Sequence, residues 1–148
     1  MLSLNKYFLW FFLLCLGLTL VAGVIAAFLP PQIAGVVTAL PYLAAMIIVL
    51  KIFIRQQHRA PTQAERKKMT LMYTLIFWGY NIAGVLFGAW WFARKDPEVW
   101  LNFLQVLQTP LFISITIIMM MILAIPLYLI TYWFHGKQAQ RMAAKSAQ

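Results

Sequence analysis

Residues 51–70 read KIFIRQQHRAPTQAERKKMT and hold six of the chain's 12 Lys and Arg residues: Lys51, Arg55, Arg59, Arg66, Lys67 and Lys68. Apolar segments of membrane-crossing length flank this basic stretch on both sides. Within it, Thr62-Gln63-Ala64-Glu65 matches the capping box, in which a Thr side chain and a Glu three residues on each take up a free backbone amide. Pro61 stops the preceding helix and pushes Ala60 towards an extended conformation. The stretch therefore predicts a helix leaving, a structured corner, and a new helix starting near Gln63.

Working outward, the chain has 148 residues, 64% hydrophobic and only 10% charged, against roughly 25% charged in ordinary soluble domains. So much apolar surface cannot be hidden inside a soluble domain of this size, and lipid must be the solvent for much of it. The net charge of +9 does not point to nucleic acid, because the basic residues lie beside apolar spans and not on a polar domain. The bias of Lys and Arg to one side of a membrane accounts for them. One cysteine, Cys15, rules out an internal disulfide and a Cys-rich metal site.

Before the connector, residues 7–28 form an apolar run that spans roughly 33 Å as a helix, enough for a hydrocarbon core of about 30 Å. It is longer than the apolar core of a cleaved signal peptide, so it is read as the first retained span. Pro30 and Pro31 make a tight turn, and the second span is expected over 33–53 with a kink at Pro41. After the connector comes a third span at 69–92, closed by Trp90 and Trp91 as an interfacial aromatic belt. Asp96 before Pro97 reads as an N-cap with proline at the first helical position. Residues 97–108 then read as a short interfacial helix, with Trp100, Phe103, Leu104 and Leu107 on its apolar face. The fourth span is expected over 111–134, and residues 135–148 read as a polar tail.

Charge counting orients the chain. Lys6, the six connector residues, Lys137, Arg141 and Lys145 make ten on one side, against Arg94 and Lys95 on the other. That asymmetry puts both termini and the connector in the cytoplasm. The expected fold is one all-α domain over 1–148: an integral membrane four-helix bundle of two transmembrane hairpins joined by a basic cytoplasmic connector (54–68), with the interfacial helix between spans three and four.

In the third span, Phe77, Asn81, Gly84 and Gly88 fall within roughly 60° at 100° per residue. Gly84-x-x-x-Gly88 lets a second backbone approach closely, and Asn81 is placed to hydrogen-bond across helices. The first span offers Cys15, Thr19, Gly23 and Ala27 every four residues, and the second Gly35, Thr38, Tyr42 and Ala45. These faces are expected to pack against one another, with self-association as the alternative. Arg55, Arg59, Arg66, Lys67 and Lys68 are expected to contact anionic lipid headgroups at the cytoplasmic face, worth about 1 kcal/mol each.

All three acids, Glu65, Asp96 and Glu98, fall in loops or at interfaces, and no ionisable residue lies at the centre of a span. Coupled transport needs such a residue, so a transporter or channel component is the second choice. His58 and His135 lie near the interface without a convergent carboxylate or Cys, which does not make a metal site. No nucleophile–base pair or Gly-rich phosphate loop is present. No catalytic, cofactor or metal residues are assigned.

The connector Ile54-Arg55-Gln56-Gln57-His58-Arg59-Ala60-Pro61-Thr62-Gln63-Ala64-Glu65-Arg66-Lys67-Lys68 resembles that of a family of small four-span inner-membrane proteins of gamma-proteobacteria. The resemblance implies the architecture and the inner-membrane location and carries no activity with it. The expected function is non-enzymatic: an accessory or immunity-type protein acting through contact with lipid, with a second copy, or with another membrane protein.

Overall fold

In the computed structural model, residues 3–37 and 39–148 are described, and every regular element among them is a helix. In order these are α1 (Asn5–Ala26), α2 (Pro31–Val37), α3 (Leu40–Gln57), α4 (Gln63–Ala93), α5 (Pro97–Gln108), α6 (Pro110–Trp133), a π-helical turn (Phe134–Gln138) and α7 (Ala139–Ser146). Four helical runs are long and apolar enough to cross a membrane: α1, α3, α4 and the continuous Pro110–Ser146. This is a membrane protein.

The expected second span is broken in two. Instead of one helix kinked at Pro41, the chain forms α2, then starts α3 at Leu40 with Pro41 in its first turn. A first-turn proline gives up an amide that has no intrahelical partner anyway, so a fresh start is cheaper than a kink. Thr38 lies outside the described residues; Tyr42 and Ala45, which share its expected face, are buried.

Local chemistry builds the corner between α3 and α4. His58 caps α3 in the left-handed region at φ 52°, returning its N–H to Ile54 O at 2.8 Å. Thr62 Oγ1 accepts from Glu65 N at 3.3 Å, and Glu65 Oε2 accepts from Thr62 N at 2.9 Å. Arg59 adds what the motif does not contain: its guanidinium fork donates to both Glu65 oxygens at 2.8 and 2.9 Å. These donors hold the Glu65 carboxyl down at about 2, so it stays ionised and committed to the corner.

At 31 residues, α4 is about 47 Å long, more than a bilayer's hydrocarbon core. Its first turns, 63–68, precede the apolar run. At its other end Asp96 Oδ1 accepts from Glu98 N at 3.0 Å and starts α5, which packs along α4 and α6 with none of its residues buried. The polar tail is helical. Through the π turn, α6 continues into α7, and Ala139 packs with Met142 and Ala143 against Leu50 and Ile54 of α3. The spacing 139, 142, 143 is a one-sided helical stripe, short enough to pass as polar sequence.

Helix α1 packs on α3 and α4, and α4 packs on α6. Apart from Ala22, the buried residues fall at 4–15, 41–54, 69–73 and 131–139, mostly towards the connector end. Phe11 lies parallel to Tyr73 with ring centroids 4.0 Å apart and meets Tyr42 edge-on at 5.6 Å. Tyr42 in turn meets Phe77 at 5.1 Å, and Tyr7 meets Phe53 at 5.1 Å. Thr131 donates to Leu127 O at 2.7 Å, so Tyr42 is the donor in their 2.6 Å bond, tying α3 to α6. Between helices in lipid no hydrophobic driving force remains, and contacts of this kind carry the association.

Candidate functional site

Thr70, Tyr73, Phe77, Asn81, Gly84 and Gly88 lie within about 80° on α4 at 100° per residue. The connector-side members of this stripe face the core: Thr70 and Tyr73 are fully buried, and Phe77 packs against it. The far-side members are left open. Among the described residues, a Cβ placed on Gly84 or Gly88 would meet nothing within 4 Å, so neither glycine is packed against another of the described helices. Asn81 donates one N–H to Phe77 O of its own helix at 2.7 Å, which leaves the rest of its amide for a bond across helices. The helices meet at one end and leave the same stripe bare at the other.

The α1 seam is engaged at one end among the described residues. Cys15 is buried, and Cys15 and Thr19 both reach the Tyr80 hydroxyl of α4, at 3.3 and 3.1 Å. Ala27 is exposed, and a Cβ on Gly23 would meet nothing within 4 Å. The reason is geometric: stepping by four advances 40° per step, so three steps from Cys15 carry Ala27 about 120° around the helix. Ala22, seven residues from Cys15, stays on the core face and is buried.

The five basic residues expected at headgroups have different surroundings. Arg59 is spent on Glu65, the one ion pair among the described residues. Arg55 is exposed in the last turn of α3. Arg66 turns inward: its guanidinium carbon lies 3.5 Å from the centre of the Tyr132 ring, and Nε donates to Tyr132 O. It also lies against Gly136 of the π turn, where a Cβ would come within 2.5 Å of the guanidinium carbon. Lys67 and Lys68 are exposed and line a groove with Ala64, Leu71, Tyr128 and Tyr132.

His135 is fully buried, not solvated at the interface as its position at the head of a polar tail implied. The π turn carries it inward against Tyr73, with ring centroids 5.4 Å apart. Its Nδ1 lies 2.9 Å from Thr131 O; a carbonyl only accepts, so Nδ1 bears the proton. Nε2 and the Tyr73 hydroxyl are buried without a hydrogen-bond partner among the described residues. His58, at the α3 cap, is exposed. Among the described residues no three His, Cys, Asp or Glu side chains come together as metal ligands would.

At the other end, Trp90, Ala93, Arg94, Pro97, Trp100 and Leu101 line an open cleft of about 470 Å³ between α4 and α5. The Arg94 guanidinium lies 4.5 Å from the Trp90 ring centre. No protein-family model, curated protein or solved structure matches this chain. Its functional reading rests on its own surfaces: an uncovered small-residue face on α4, a basic groove at the connector end, and an aromatic cleft at the other. The sequence pointed to Asn81, Gly84 and Gly88, to the lysines and to Trp100, but not to the groove or the cleft that join them to other helices. The groove joins residues 64–71 to 128–132, and its signal was the pair of tyrosines one turn apart, opposite the lysines.

Proposed function

We propose that this chain is a small non-enzymatic membrane protein that works by contact, docking a transmembrane helix of another protein, or of a second copy, along Asn81, Gly84 and Gly88 of α4. Open space over both glycines carries the reading. Glycines on a membrane helix allow backbone approach, and here the chain's own helices do not use that approach. An accessory or immunity-type role is the concrete form this reading takes.

Around this face the architecture is a four-helix bundle of two hairpins joined by the basic connector, with α5 lying in the opposite interface. The ten-to-two charge split supports cytoplasmic termini and connector. The connector's resemblance to small four-span proteins of gamma-proteobacteria supports the bacterial inner membrane.

Photo-crosslinking residues placed singly at Gly84, Gly88 and Ile122 test the docking face in native membranes. Adducts of one defined mass are expected from positions 84 and 88, and none from position 122, which is exposed on α6. Leucine at position 84 should abolish the adduct formed from position 88. Equal adducts from all three positions, or none, would overturn the reading.

A further inference from the structure

The groove containing Lys67 and Lys68 does not end at the membrane surface. Its first section, about 610 Å³, shares Tyr128 and Leu129 with a second of about 240 Å³ that adds Thr74, Ala124 and Ile125. The second shares Ala124 with a third of about 300 Å³, walled by Trp78, Ile117, Met120 and Met121. The three sections form one continuous furrow between α4 and α6. Along α4 it runs from Ala64 to Trp78, a rise of about 21 Å at 1.5 Å per residue. That matches a headgroup plus one leaflet of a hydrocarbon core about 30 Å thick.

Its chemistry is graded in the same direction. At the top stand two ammonium groups and, on the facing helix, two phenols able to donate hydrogen bonds. Below them the walls are apolar except for Thr74, whose hydroxyl is already committed to Thr70 O at 2.9 Å. No carboxylate neutralises the lysines: the nearest acid in sequence, Glu65, is held by both arms of Arg59. Adjacent Arg66 turns inward onto the Tyr132 ring and leaves the two lysines as the groove's lining cations. Positive charge at the mouth and an apolar channel beneath it complement a single class of molecule.

We infer that the α4–α6 furrow is a binding site for one anionic phospholipid. Its phosphate sits between Lys67, Lys68 and the Tyr128 and Tyr132 hydroxyls, and an acyl chain lies along Leu71, Ile125 and Trp78. The site is about 90° around α4 from the Asn81–Gly88 face, so it stands or falls independently of the docking proposal.

The test is native mass spectrometry of the full chain released from nanodiscs of equal phosphatidylglycerol and phosphatidylcholine. One retained phosphatidylglycerol is expected, favoured at least tenfold over phosphatidylcholine. The Lys67→Gln/Lys68→Gln variant should lose that preference, whereas Lys51→Gln/Arg55→Gln, with the same charge change outside the furrow, should keep it. Tyr128→Phe, which preserves the ring and the fold, should weaken retention several-fold. Glycerol phosphate, which has no acyl chains, should fail to displace the lipid at millimolar concentration. Retention without headgroup preference, equal losses in the two double variants, full retention in Tyr128→Phe, or displacement by glycerol phosphate would each overturn the inference.

Discussion

Phe11→Ala is expected to lower the stability of the folded chain by about 3 kcal/mol. Phe11 is fully buried and joins α1 to both α3 and α4 through Tyr42 and Tyr73. In lipid the transfer term of a soluble core largely drops out, but the void remains. Removing roughly 100 Å³ of ring at about 24 cal/mol per Å³ gives about 2.4 kcal/mol, and the lost aromatic pairing adds about 0.5–1 kcal/mol. Leu13→Ala, on the exposed side of α1, removes only lipid contact and should cost under about 0.5 kcal/mol. Unfolding by SDS titration in detergent micelles checks the pair; equal losses would mean that the core is not where the aromatic cluster lies.

Gly136→Ala is expected to cost about 1–3 kcal/mol, a large effect for a single methyl group. The new Cβ would lie 2.5–2.7 Å from the carbon and both terminal nitrogens of the Arg66 guanidinium. Arg66 has a flexible stem, but moving it forfeits its stacking on Tyr132 and its bond to Tyr132 O. A cation–π contact is worth about 0.5–2 kcal/mol and a hydrogen bond from a charged donor about 1.5–3 kcal/mol. The π turn brings a residue without a side chain under that guanidinium and carries His135 into the core. In an Arg66→Ala background, Gly136→Ala should therefore cost little. A double-mutant cycle with a coupling of at least about 1 kcal/mol supports the contact, and strictly additive losses contradict it.

The two sites differ in how far the sequence announced them. Helix starts were legible, because capping is local: Thr62 with Glu65, and Asp96 with Pro97, contain their own partners. The four apolar runs were legible for the same reason, since lipid requires length and hydropathy over one continuous segment. The packing faces were not. In α6 apolar residues surround the helix on every side, and Ile117, Met119, Met121 and Ile125 all remain exposed, so composition does not mark an inner face. For α1, stepping by four found Cys15 and Thr19 and then walked off the core, as a 3.6-residue period requires. On α4 the stripe was correct as a line, but nothing in it says that the other helices reach only half-way along. The π turn has no sequence mark except Gly136, and without it His135 falls on the solvent side of the count.

Four helices should cross the bilayer with the basic corner and both ends on one side. Single cysteines in a Cys15→Ser chain, labelled on intact cells with a membrane-impermeant maleimide, test it directly. Gln32→Cys and Lys95→Cys should label at once, while Gln63→Cys and Gln148→Cys should label only after the membrane is opened. Protection of either of the first two, or immediate labelling of either of the last two, would contradict the account.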